Sequence, residues 1–97
     1  MPTPSSNVHV ERAGETLRFA GALTRDAVAA LWPQALRLLD GARAFDLAAV
    51  PRVDSAGVAL LAELAARLAA PPAIQGEPDG FRALCAAYRL SPTLAFA

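Results

Sequence analysis

Lysine is absent from this 97-residue chain, and cysteine and histidine occur once each. The lone Cys85 excludes an intrachain disulfide, and the lone His9 argues against a zinc site and a Ser-His-Asp triad. Without lysine there is no glycine-rich phosphate loop of the kind whose lysine contacts a bound nucleotide. We therefore expect no catalytic residues, no cofactor and no metal, and predict that the protein is not an enzyme.

Charge is balanced and evenly spread along the chain. The nine basic residues are all arginines, they occur singly, and nine acidic residues bring the formal net charge to zero. No basic stripe exists, so neither nucleic acid nor an anionic membrane surface is an expected partner. The longest apolar stretch, residues 58–70, contains Glu63 and Arg67, which argues against membrane insertion. Residues 1–6 lack the features of a signal peptide, so we predict a cytoplasmic protein.

The first half of the chain predicts a hairpin followed by a helix. Residues 1–6 are rich in proline and serine and are predicted to be a disordered tail, with one domain over residues 7–97. Alternating apolar residues predict two strands joined by a turn at Gly14. Thr24 is the predicted N-cap of the helix that follows. Pro33 predicts a kink or a split in that helix.

The second half predicts alternating strands and helices: a strand over 45–50, a helix over 56–70, a short strand over 73–76 and a last helix capped by Asp79. The middle helix has an apolar stripe that we expect to be buried, formed by Val58, Leu61, Leu64, Ala65 and Leu68. The order β-β-α-β-α-β-α predicts an α/β fold with a mixed four-stranded sheet and about three helices.

Residues 53–58 place a tight loop directly before a helix. A helix N-terminus has free backbone N–H groups and a partial positive charge, so it can receive an anion or a carbonyl of a partner. We expect Ser55 at this end with its hydroxyl outward, and the small Ala56 and Gly57 would let a protein partner approach closely. Alternatively, Asp54 or Ser55 is simply an N-cap, which is the commoner role of such residues.

Two charged residues near this loop leave alternatives open. Arg52 precedes the loop and is either solvated or paired with an acidic residue of a partner. Asp46 lies in an apolar strand, where an unpartnered carboxylate is costly. It is therefore either an outward-facing or hydrogen-bonded strand residue, or a support for the loop.

Several of these segments resemble STAS domains, the family of sulfate transporters and anti-sigma-factor antagonists. The resemblance rests on residues 45–47, on residues 53–58 and on Leu60-Leu61, and the element order extends it over nearly the whole chain. Within that family, three further segments are similar to the STAS subunit of Mla-type bacterial phospholipid transporters: residues 17–23, Leu31-Trp32, and Leu84 with Tyr88-Arg89-Leu90.

The resemblance implies a non-catalytic, peripheral STAS subunit. It would bind and support the cytosolic ATPase of a phospholipid-trafficking ABC transporter, which maintains outer-membrane lipid asymmetry. Ser55 would be the central contact residue, together with Asp54, Ala56, Gly57 and Arg52. In anti-sigma-factor antagonists the matching hydroxyl is phosphorylated by a partner kinase. The alternative is therefore an antagonist regulated by phosphorylation of Ser55, although Ala56 stands where antagonists often carry a second hydroxyl.

Overall fold

The computed structural model describes residues 8–89, so the predicted tail over residues 1–6 lies outside the described part. The elements are β1 His9–Ala13, β2 Thr16–Ala20, α1 Arg25–Leu38, β3 Ala44–Ala49, α2 Ser55–Ala66, β4 Ala73–Gln75 and α3 Phe81–Ala87. The strands form one sheet in the order β1-β2-β3-β4. β1 and β2 are antiparallel, whereas β2, β3 and β4 are parallel to one another. The predicted order and the mixed sheet are confirmed.

The helices cover one face of this sheet. Leu17 and Phe19 of β2 and Phe45 and Leu47 of β3 are fully buried, while the residues between them, such as Arg18, are exposed or half-buried. The rings of Phe19 and Phe45 meet edge to face, with centroids 5.8 Å apart. Burying each of these side chains stabilises the fold by about 1.5–3 kcal/mol. Within residues 8–89, no helix covers the opposite face of the sheet, which is called the open face below.

Pro33 does not split α1, which is one continuous helix of 14 residues. A proline removes one helical hydrogen bond, here the bond to the carbonyl of Ala29. Pro33 and Ala29 are both exposed on the same side of the helix, so water can satisfy that carbonyl. The predicted split is therefore absent, and the opposite side of α1 packs on the sheet.

α2 begins at Ser55, as expected, but ends at Ala66 instead of Ala70. Leu61 and Leu64 are buried as predicted, whereas Leu68, beyond the helix end, is only partly buried. The alanines after Ala66 are exposed, so another helical turn would bury little. Most helical stability in proteins comes from tertiary burial. Because little more would be buried beyond Ala66, the helix ends earlier than the local sequence predicts.

Asp79 does not cap α3, so that prediction is wrong. The N-cap position is taken by Gly80 at φ 87°, with no side-chain cap hydrogen bond. Asp79 instead pairs through its backbone with the segment before α2. Its N–H donates to the carbonyl of Pro51 at 3.1 Å, and its carbonyl accepts the N–H of Val53 at 3.0 Å. This pairing holds the start of α3 beside the candidate site.

The helices are short compared with a bilayer, which takes about 20 apolar residues to span. The longest, α1, has 14 residues. Within residues 8–89, no helix combines the length and the hydrophobicity needed to cross a membrane.

Candidate functional site

The candidate site lies where the chain leaves β2 and β3 and enters α1 and α2. Leu23, just before α1, pairs in parallel with Val53, just before α2. The N–H of Leu23 donates to the carbonyl of Arg52 at 3.1 Å, and the N–H of Asp54 donates to the carbonyl of Leu23 at 3.2 Å. The two helices therefore start side by side at one end of the sheet.

The carboxylate of Asp54 binds the N-terminal ends of both helices. Its Oδ1 accepts the N–H of Gly57 in α2 at 3.0 Å, and its Oδ2 accepts the N–H of Arg25 in α1 at 3.0 Å. Asp54 is thus the N-cap of α2, one of the alternatives left open above. Thr24 occupies the N-cap position of α1, but its side chain makes no cap hydrogen bond. Asp54 supplies that acceptor instead.

Asp54 is ionised at neutral pH. Partial desolvation acts to raise its pKa, but hydrogen bonds from the backbone N–H groups of Gly57, Arg25 and Ala56, with the charge of Arg25, outweigh this effect. The pKa of Asp54 is consequently lowered from its ordinary value of 3.8. Its negative charge faces two helix N-terminal ends, where the helix dipoles favour an anion.

Gly57 is buried and faces Leu23. A Cβ added to Gly57 would lie 2.1 Å from the carbonyl oxygen of Leu23 and 2.9 Å from its carbonyl carbon. Glycine is therefore required for the first turn of α2 to approach this backbone. On this side, the space beside Gly57 is filled from within the domain by the backbone of Leu23.

The other residues around the loop are more accessible. Ser55 is the first residue of α2 and is exposed, and its side chain takes no part in the cap that Asp54 provides. Ala56 is half-buried and Arg52 is exposed. Within residues 8–89, no acidic side chain forms an ion pair with Arg52. Ser55 and Arg52 are therefore the members of the predicted set that most readily face a partner.

Asp46 does not belong to this loop. Its Oδ1 accepts the N–H of Ala48 at 2.9 Å, and its Oδ2 lies 3.6 Å from Nε of Arg18 on the neighbouring strand. These contacts agree with the interpretation of Asp46 as a hydrogen-bonded strand residue on the open face of the sheet.

Sequence reasoning missed the parts played by Leu23 and Arg25. Both contribute backbone groups, which no side-chain pattern reveals. The topology carries the only signal: β2 and β3 are adjacent and parallel, so the helices that follow them start at the same end of the sheet. A sequence that places Asp54 at the start of the second helix thereby also places it near the start of the first.

Comparisons with known proteins agree with this architecture. A family model described as "Mlab, STAS domain" matches residues 7–94. The chain is 33% identical to the intermembrane phospholipid transport system binding protein MlaB of Escherichia coli (strain K12) over 82 residues. These 82 residues cover 81% of this chain and 84% of that protein. The protein of the same name from Shigella flexneri matches to the same extent.

A solved structure, "Crystal Structure Analysis of Mglu", is also similar, with a TM-score of 0.52 and 28% sequence identity. The similar region covers 78% of this chain but only 21% of that longer chain, so it corresponds to one part of it. Since the family model spans most of the sequence and the relatives reach 33% identity over four-fifths of it, the chain belongs to the MlaB-type STAS domain family.

Proposed function

We propose that this protein is a non-catalytic STAS subunit that binds and supports the cytosolic ATPase of an Mla-type phospholipid ABC transporter. It would act peripherally at the inner membrane and contribute in this way to outer-membrane lipid asymmetry. Family membership and the name of its relatives, an intermembrane phospholipid transport system binding protein, support this proposal. The docking site is inferred from a single observation: Ser55 is exposed and lies at the start of a helix that is rigidly held.

The start of α2 suits close contact with another protein. Asp54 fulfils the capping role, so Ser55 is not needed for it and its side chain is available to a partner. The next residue on the same side of the helix, Ala59, is exposed and small. Small side chains let a partner approach without the entropic cost of ordering long, flexible groups. Arg52 beside it suits an acidic residue of the ATPase.

Catalysis has little support in the described residues. Cys85 is buried, and burial raises the pKa of its thiol, which disfavours the reactive thiolate. The chain has no lysine to contact nucleotide phosphates. The purified domain should therefore show no nucleotide hydrolysis. Turnover that follows the protein through successive columns, and is lost on a point substitution in it, would contradict this.

Two variants of Ser55 and one control variant test the docking site by ATPase pull-down, with the melting temperature as a check on folding. Ser55→Arg should abolish copurification because the bulk of its side chain keeps the partner away from the start of α2. Ser55→Ala should bind, and because Asp54 provides the cap it should change stability by about 0.5 kcal/mol or less. Gln75→Arg adds the same side chain to an exposed position on β4, and should bind normally.

Ser55→Asp separates this proposal from the alternative of an anti-sigma-factor antagonist. An acid at the start of α2 suits the helix dipole, so the domain should stay folded. In a plain docking subunit, binding should weaken as the side chain grows, whatever its charge. An antagonist would instead lose its partner with Ser55→Asp and keep it with Ser55→Ala. If Ser55→Arg copurifies with the ATPase as well as the wild type does, this helix end is not the docking site.

A further inference from the structure

We propose that Asp54 is a positioning residue that links the starts of α1 and α2, and that it acts on partner binding through Ser55 rather than by touching the partner. This inference rests on the proposed docking function, and it changes the role of Asp54 from contact residue to internal link. It also predicts that the two helix starts form one docking surface, with Arg25 beside Ser55.

The link consists of two hydrogen bonds made by one side chain to two helices. The N–H groups of Gly57 and Arg25 donate to different oxygens of the Asp54 carboxylate, each at 3.0 Å. Arg25 lies 29 residues before Asp54 in sequence, so the second bond is a tertiary contact. Hydrogen bonds to a charged acceptor are roughly twice as strong as neutral ones. One ionised side chain thus holds two separate elements.

The surrounding backbone gives this link a fixed geometry. The carbonyl of Leu23 accepts the N–H of Asp54 and lies directly against Gly57. Leu23 is fully buried, and its own N–H donates to the backbone carbonyl of Arg52. The start of α1 is therefore held at Leu23 by backbone hydrogen bonds, and at Arg25 by the hydrogen bond to the carboxylate of Asp54.

A simple cap would need only one acceptor. Serine at position 54 could still accept the N–H of Gly57, since serine is as good an N-cap as aspartate. It has a single short hydroxyl, however, and cannot also reach the N–H of Arg25. Without that bond the start of α1 can shift relative to Ser55. A smaller fraction of molecules then has the binding-competent arrangement, and the apparent Kd rises by the same factor.

Three substitutions in the full chain test the link. Asp54→Ser keeps the α2 cap and removes the bond to α1. Asp54→Asn keeps one oxygen and turns an amide donor towards one of the two N–H groups. Asp46→Asn is the matched control, because Asp46 also accepts a backbone N–H but lies on the open face of the sheet. Each variant is measured for amide exchange by NMR, for melting temperature, and for Kd with the purified ATPase by calorimetry.

We expect Asp54→Ser to retain slow exchange at Gly57, lose it at Arg25, and bind the ATPase about tenfold more weakly. Asp54→Asn should weaken binding by a similar factor, whereas Asp46→Asn should bind within about twofold of the wild type. Wild-type affinity in both Asp54 variants would overturn the proposal. Unfolding of both would also overturn it, because a positioning residue leaves the core intact.

The amide measurements keep this proposal separate from the proposed function. Exchange at Arg25 is measured on the free chain and does not depend on any partner. If Ser55→Arg binds normally, the docking site is wrong even where Asp54→Ser releases Arg25. If Ser55→Arg fails to bind but Arg25 stays protected in Asp54→Ser, the docking site holds and the link is wrong.

Discussion

Replacing Gly57 by alanine should destabilise the domain, although helix propensity alone predicts the opposite. Alanine is more favourable than glycine inside a helix by up to about 1 kcal/mol. In this structure, however, the added Cβ would lie 2.1 Å from the carbonyl oxygen of Leu23, a separation that real Cβ atoms essentially never show. The atom it meets belongs to the backbone, so it cannot move aside cheaply.

The magnitude follows from what has to shift. Overpacking a close contact typically costs about 1–3 kcal/mol, and a clash this short belongs at the upper end. Moving α2 away from Leu23 also strains the cap that Asp54 makes to Gly57, a bond of about 1 kcal/mol. This additional loss offsets the gain in helix propensity, so the expected net loss is about 3 kcal/mol. For a domain of this size that corresponds to a fall in melting temperature of roughly 12–24 °C.

Urea unfolding of Gly57→Ala with a constant m-value measures this loss directly. Gly14→Ala is the control, because Gly14 has a φ of 62° and, among the described residues other than its two chain neighbours, no atom lies within 4 Å of an added Cβ. That variant should lose only about 1–2 kcal/mol, the cost of a left-handed conformation for a non-glycine residue. If Gly57→Ala is as stable as the wild type, the close approach of α2 to Leu23 is not a feature of the folded protein.

Three further outcomes are expected. Pro33→Ala should raise the free energy of unfolding by about 2 kcal/mol, because it restores a helical hydrogen bond at an exposed site, and an unchanged melting curve would refute this. The stability advantage of the wild type over Asp54→Asn should be full at neutral pH and shrink as the pH falls below 3.8, since a carboxylate whose pKa is lowered in the folded state stabilises the fold only while it is ionised; an advantage that stays constant as the pH falls below 3.8 would contradict this. Cys85 should react with a thiol reagent at least about 100-fold more slowly in the native than in the denatured protein, and equal rates would show that it is not buried.

The order of elements was predictable because local hydrophobic periodicity carries it. Leu17 and Phe19 alternate with polar neighbours, and the apolar residues of α2 recur at helical spacing. The end of α2 was not predictable in the same way. An alanine-rich sequence favours a helix as far as Ala70, but the exposure of Ala69 and Ala70 is a property of the fold.

In the candidate site, too, the features set by local sequence were predictable and those set by tertiary contacts were not. The position of Ser55 at a helix start followed from residues 53–58 alone, as did Asp54 as a possible cap. The bond from Arg25 to Asp54 did not, because it joins residues 29 apart through a backbone group. Gly57 was ambiguous, since a small residue is required equally by an approaching partner and by close packing within the domain. The close packing against the Leu23 carbonyl is visible only in the structure.

Amide hydrogen–deuterium exchange of the chain, free and bound to the transporter ATPase, tests most directly whether α2 docks through its N-terminal end. In the complex, residues 52–58 should exchange at least about tenfold more slowly, because the partner covers the exposed start of the helix. β1 lies at an edge of the sheet, on the other side of β2 from β3, and should exchange at the same rate in both states. Unchanged exchange over residues 52–58, with protection at β1 instead, would contradict docking through Ser55.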